Sequence, residues 1–179
     1  MFKPSKNPKV EELQKSCTDR SVPVADLTWI IREDGSKGCI WCGDPLKTKH
    51  HAQRYCKDKM CPKSAYAWSY PQKEEAMNFL MIRQDWCCNI CKHDWKPFIE
   101  SDIVGQFYGT MNVDYKTEIN YYVIKRLKQN IDPKLKPEVD HIVPIYKGGQ
   151  SLGLDNHQII CYLCHKRKTA VDLSGKRKK

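Results

Sequence analysis

The chain has 179 residues, and its 31 Lys and Arg against 21 Asp and Glu leave a formal charge of +10. That length holds one compact domain or two small ones, and the positive excess points to a polyanionic partner, most commonly nucleic acid. No run of about eighteen apolar residues is present, which excludes a membrane span, and "MFKPSKNPKVEELQKS" has no apolar stretch of a secretory signal. A reducing compartment is therefore expected, cytoplasmic or, in a eukaryote, nuclear, and not secreted. In such a setting ten cysteines point to metal rather than to disulfides.

Residues 1–36 read as an N-terminal arm of unknown role, with "ADLTWIIR" either a strand or a short helix. Residues 37–86 hold a cysteine-dense block followed by "QKEEAMNFLMIRQDW". There Ala76, Phe79, Leu80 and Arg83 fall at helical spacing with acidic residues toward the start, which predicts a helix. Residues 87–179 carry the remaining cysteine pairs and a basic tail. Within them "KTEINYYVIKRLKQN" places Ile119, Tyr122, Val123 and Leu127 on one face of an amphipathic helix, which the two prolines of "IDPKLKPEV" end. The expected fold class is α+β, built of small zinc-stabilised domains.

Zinc takes four soft ligands in a tetrahedron, usually from two short knuckles. Cys39-Ile-Trp-Cys42 and Cys56-Lys-Asp-Lys-Met-Cys61, thirteen residues apart, form the first predicted four-cysteine site. The polar spacer "GDPLKTKHHAQRY" argues against four buried free thiols. Cys88-Asn-Ile-Cys91 and Cys161-Tyr-Leu-Cys164 form the second, across 69 intervening residues. Each of those pairs is half a site, and no other pair remains to complete either. Cys17 and Cys87 are left as packing thiols. His50, His51 and His93 are not needed, because four thiolates already complete each site. Two Zn²⁺ sites with four thiolates each carry roughly −2 apiece, so they offset part of the basic excess.

The stretch "VDHIVPIYKGGQSLGLDNHQIICYLCHKRKT" (139–169) concentrates chemistry. Val139 to Val143 reads as a strand ended by Pro144. "YKGGQSLGLDN" is a loop rich in turn residues, "HQIIC" a returning strand, and "CHKRKTAVDL" the start of a helix. Gly148-Gly149 serve the turn. His157, next to Asn156, is expected to face the other side of its strand and to play no part.

These residues, "DHIVPIYKGG…DN…CYLCHKRKT", resemble the HNH endonucleases, including the HNH domain of eukaryotic annealing helicases and related phage and bacterial nucleases. The resemblance covers roughly residues 38–172, more strongly over the last thirty. It implies a C-terminal ββα-metal motif, which makes 87–179 the nuclease domain. It also implies phosphodiester hydrolysis on DNA with a catalytic Mg²⁺ or similar ion beside the two structural zinc sites. A hard divalent ion takes oxygen or imidazole ligands, which Asp140 and His165 supply, and a neutral histidine suits a general base near pH 7, the role assigned to His141. Neighbours on a strand point to opposite sides, so a twist or bulge is expected at Asp140-His141. Asn156 would hold the loop and orient His141, or reach the metal. Lys147, Lys166, Arg167 and Lys168 are the expected phosphate contacts, extended by Lys47, Lys49, Arg54 and Lys57 on the first finger. The rival from another class is a zinc-stabilised DNA-binding or adaptor module without catalysis. Restriction, phage, homing and repair contexts stay open, as do monomer and homodimer.

Overall fold

The computed structural model describes residues 2–16, 27–46, 52–101 and 121–176. The expectations at Cys17, Lys47, Lys49, His50, His51, Ile119 and the last three tail residues lie outside the described residues.

Helix α1 (Pro8–Ser16) packs with the residues before it on the first cysteine block. Asn7 Nδ2 donates to the carbonyls of Thr28 and Ile40, the Lys6 N–H donates to Trp41, and Trp41 Nε1 donates back to the Lys3 carbonyl. The described part of 1–36 is thus a packing element of that block. Strands β1 (Ile30–Ile31) and β2 (Lys37–Gly38) make a short antiparallel ladder ahead of the first knuckle. Helix α2 (Met60–Ser69) leaves the second half of the same cluster. Helix α3 (Glu74–Arg83) buries Ala76, Phe79 and Leu80 as their spacing predicts. Its Glu74 and Glu75 at the N-terminus and Arg83 in the last turn complement the helix dipole. Helices α4 (Lys96–Glu100) and α5 (Tyr121–Asn130) follow, with Val123 and Leu127 of α5 buried.

The C-terminal unit is strand β3 (Pro137–His141), strand β4 (His157–Cys161) and helix α6 (Tyr162–Lys176). The strands pair antiparallel from Pro137 opposite Cys161 to His141 opposite His157. The predicted returning strand and helix are found, but the first strand lies two residues earlier than expected. Ile142 and Val143 leave the ladder because Asn156 captures them, as described below.

Two apolar clusters carry the fold. One gathers Trp41, Trp68, Leu27 and Leu152 around the first cysteine block. The larger gathers Trp86, Trp95, Leu80, Leu127, Ile159 and Ile160 beneath the ribbon. Phe2 packs against both, and the Gly153 N–H donates to the Trp68 carbonyl, so the loop of the ribbon is tied to α2. Strand β4 is buried along its whole length, and side chains rather than another strand cover its far edge. Gln84 accepts from the Ile159 N–H at 2.7 Å and donates to its carbonyl at 2.9 Å. Arg83 donates to the carbonyls of Leu154 and His157. This substitution of side-chain donors and acceptors for a strand satisfies buried backbone groups that would otherwise cost about 1–3 kcal/mol each. Among the described residues no helix is long and apolar enough to cross a membrane.

Candidate active site

The four sulfurs of Cys39, Cys42, Cys56 and Cys61 lie within 4.8 Å of one another, and so do those of Cys88, Cys91, Cys161 and Cys164. Sulfur pairs 3.6 and 3.8 Å apart match the edge of a tetrahedron with Zn–S bonds of ~2.3 Å, about 3.8 Å. Both predicted ligand sets therefore come together, and their donor chemistry fits zinc. Cys87 stays out of the cluster, its thiol donating to the Asp85 carbonyl.

The two knuckles share one backbone design. Gly43 and Lys92 donate to the carbonyls of Cys39 and Cys88, both at 3.0 Å, and isolated bridges join Gly38 to Pro45 and Cys87 to Asp94. The residue after the second cysteine is left-handed in both, Gly43 at φ 78° and Lys92 at φ 59°. Glycine adopts that region freely and lysine does not. Lys92→Gly is expected to stabilise the fold by about 1 kcal/mol, a rise of about 2–4 °C in thermal midpoint by calorimetry.

Each cluster also sits on a helix N-terminus, with Cys61 in the first turn of α2 and Cys164 in that of α6, where the dipole favours thiolate. Burial pushes the Cys42 thiol up to about 12 and raises Cys61, Cys161 and Cys164 as well. At Cys39 and Cys88 burial acts the same way but is outweighed by backbone N–H donors, and those two thiols are lowered. Four thiols this close, three of them buried in each cluster, do not ionise together unaided, and a divalent cation removes that barrier with release of protons.

The second cluster pins β4 and α6 against the 88–91 knuckle. The Cys161 N–H donates to Cys88 Sγ, and the Asn89 N–H donates to the Ile159 carbonyl. Asn89 Nδ2 then donates to Gln158 Oε1 at 2.7 Å, and Gln158 Nε2 donates to Asp140 Oδ2 at 3.1 Å. A continuous hydrogen-bonded path thus runs from the knuckle to Asp140.

Glu138 and Asp140 alternate on β3, so they share the face that meets α6. From that helix His165, Lys168 and Asp172 project together at i, i+3 and i+7. His165 Nδ1 lies 2.6 Å from Glu138 Oε2, and its Nε2 lies 3.6 Å from Asp140 Oδ1. In the tautomer that carries its proton on Nδ1, toward the Glu138 carboxylate, the Nε2 lone pair faces Asp140. Adjacent donors of an octahedral ion with ~2.1 Å bonds stand about 3.0 Å apart, so a small rotation of either side chain closes the pair around one cation. Glu138, which sequence reasoning missed, was signalled only by its two-residue offset from Asp140.

Asn156 is spent on the loop. Its Oδ1 accepts from the Val143 N–H, and its Nδ2 donates to the carbonyls of Val143 and Gln150, all at 2.9 Å. Its own carbonyl accepts from the Ile142 N–H. The loop therefore closes like a staple immediately after His141. Gly149 is required there, since a Cβ would run into the Val143 carbonyl and the Asn156 amide. Gly148 is left-handed, at φ 87°.

The strand register is unbroken through His141, so the expected bulge at Asp140-His141 is absent. His141 consequently lies on the Val139 face, opposite Asp140, and its ring meets that of His157 at 4.5 Å between centroids. His157 thus corrects the expectation that it faces away, because the register sets it directly against His141. It is 0% exposed, and among the described residues neither ring nitrogen has a hydrogen-bond partner. Burial lowers its pKa to about 4, with the neighbouring His141 acting in the same direction. Burial also lowers that of His141. A histidine held neutral in the fold but free to protonate near 6.5 when unfolded costs stability as pH falls below 6.5 and continues to do so until about 4. His157→Phe is expected to remove about 2 kcal/mol of the stability difference between pH 7.5 and pH 5, read from urea melts.

Among the expected phosphate contacts, Lys166 and Arg167 are exposed on α6. Lys147 is exposed but pairs with Asp172 at 2.9 Å. Lys168 differs from expectation: its ammonium turns inward, 3.1 Å from Asp140 and 3.0 Å from Asp172. On the first finger Lys57 is exposed, whereas the Arg54 guanidinium donates to the Leu27 carbonyl.

Residues 129–170, which contain β3, the stapled loop, β4 and the start of α6, match the HNH endonuclease family model. The chain carries an HNH domain. A 33-residue stretch is 54% identical to the DNA annealing helicase and endonuclease ZRANB3 of Mus musculus, and likewise to that of Homo sapiens. The likeness covers 18% of this chain and 3% of either relative, so it concerns the HNH segment alone. No solved structure matches. The matched range contains Asp140, His141, Asn156 and His165 and leaves the first cysteine block outside it.

Proposed function

We propose that the chain is a metal-dependent DNA endonuclease. The observation that carries this reading is the facing pair Asp140 Oδ1 and His165 Nε2, 3.6 Å apart inside the segment that matches the HNH family. Asp140 and His165 hold the catalytic cation, of the Mg²⁺ or Mn²⁺ class, and both four-cysteine clusters hold structural zinc. A cation bound there would supply Lewis-acid stabilisation of the leaving 3′-oxygen.

His141 accepts the proton of the attacking water at a ring nitrogen, which its burial keeps neutral at pH 7. A phosphate lying along the outer edge of β3, which has no strand on that side among the described residues, must then be met by His141 from one face of the ribbon and by Asp140 and His165 from the other. Asn156 positions His141 by fixing the backbone that follows it. Lys166 and Arg167, with Lys147 at the loop, meet flanking phosphates. Attack by water in this arrangement leaves a 5′-phosphate.

The zinc-loaded chain is expected to nick or linearise supercoiled plasmid when Mg²⁺ or Mn²⁺ is added, and not when both are omitted. Plasmid that stays supercoiled with either ion, while still shifting on a gel with the protein, would favour a DNA-binding module without catalysis.

A further inference from the structure

Among the described residues, Asp140 Oδ2 is taken up by two donors and Oδ1 is the oxygen left to face a cation. Oδ2 accepts from Gln158 Nε2 at 3.1 Å and lies 3.1 Å from Lys168 Nζ, while Oδ1 is the atom turned to His165. Both partners of Oδ2 are themselves fixed. Gln158 is 5% exposed and is held at its Oε1 by Asn89 of the second knuckle. Lys168 is gripped from the other side by Asp172 at 3.0 Å, their side chains only 19% and 18% exposed, and Asp172 is further held by Lys147 at 2.9 Å.

We propose that Gln158 and Lys168 clamp Asp140 into one-oxygen coordination and so select small six-coordinate cations, Mg²⁺ or Mn²⁺, against Ca²⁺. The inference rests on the nuclease reading in taking Asp140 and His165 as ligands. Ca²⁺ takes six to eight oxygens at longer distances and readily uses both oxygens of a carboxylate, whereas Mg²⁺ requires a near-ideal octahedron. For Asp140 to offer both oxygens, Oδ2 must give up an amide donor and an ammonium that are fixed in place. The clamp therefore penalises the larger ion more than the smaller one, which is discrimination by obstruction rather than by added contacts. Gln158 and Lys168 are positioning residues here, acting through Asp140.

The test uses the full zinc-loaded chain, with Mn²⁺ binding followed by electron paramagnetic resonance and Ca²⁺ by competition. Lys168→Met and Gln158→Leu are each expected to lower the ratio of Mn²⁺ to Ca²⁺ affinity by about tenfold, the low end for residues that orient a ligand. Lys168→Arg, which keeps a charged donor, is expected to hold the wild-type ratio. Circular dichroism and zinc content establish that each variant is folded. A fall in either folded variant supports the clamp, and an unchanged or raised ratio in both overturns it while leaving the ligands in place. Wild-type Mn²⁺ binding that survives Asp140→Asn unaltered overturns the ligand assignment, and the clamp with it.

Discussion

His141→Ala is expected to lower plasmid cleavage by at least about a hundredfold, the scale on which a positioned general base acts, with DNA affinity and two zinc ions per chain retained. The separation of effects follows from where His141 sits. It ends β3, beyond the part of the ribbon that holds Glu138 and Asp140, and it belongs to neither cysteine cluster. Its backbone position is set by the loop that Asn156 staples, so truncating the ring leaves that frame intact. Wild-type activity also has a predictable pH dependence. Burial lowers the His141 pKa, so the neutral form that accepts a proton is lost only as pH falls below about 6.5. Cleavage by the wild type should thus rise from acid pH and level off toward neutrality, at fixed free Mn²⁺. A variant that nicks plasmid at the wild-type rate would remove His141 from the chemistry.

Cys161→Ser is expected to reduce zinc from two ions per chain to one, to destabilise the fold by more than about 4 kcal/mol, and to abolish cleavage. Cys161 is both a sulfur of the second cluster and the last residue of β4, where its N–H donates to Cys88 Sγ. Loss of the cluster frees the 88–91 knuckle, and with it the Asn89–Gln158–Asp140 path and the first turn of α6 that presents His165. Cys87→Ser, one residue from the same knuckle, serves as the control. Cys87 lies outside the cluster, and that variant should keep both ions and full activity. Zinc by atomic emission and stability by urea melts read the two outcomes, and equal loss in both variants would contradict a specific role for the cluster.

Much of this site is legible in the residues alone because its parts are local. Cys-x-x-Cys spacing, a glycine pair between two short apolar runs, and histidine one position after a zinc cysteine all act over a few residues. The two four-cysteine sets follow from pairing what spacing leaves over, and the structure assembles both. What escapes sequence reading depends on register and docking. Glu138 matters only because β3 and α6 meet on one particular face, and His157 only because the ladder runs unbroken to His141. Lys168 reads as a surface cation until Asp140 and Asp172 are seen to take its ammonium. The packing of residues 2–10 on the first cysteine block is carried by contacts such as Lys6 to Trp41, across distances for which the sequence holds no periodic signal.

The metal pair is tested most directly by anomalous scattering from crystals of the zinc-loaded chain soaked in Mn²⁺, with data collected on both sides of the zinc edge. Two zinc peaks are expected within the cysteine clusters, and one manganese peak between Asp140 Oδ1 and His165 Nε2. Manganese bound elsewhere, with none between those two side chains, would contradict the assignment of Asp140 and His165 as the catalytic cation's ligands.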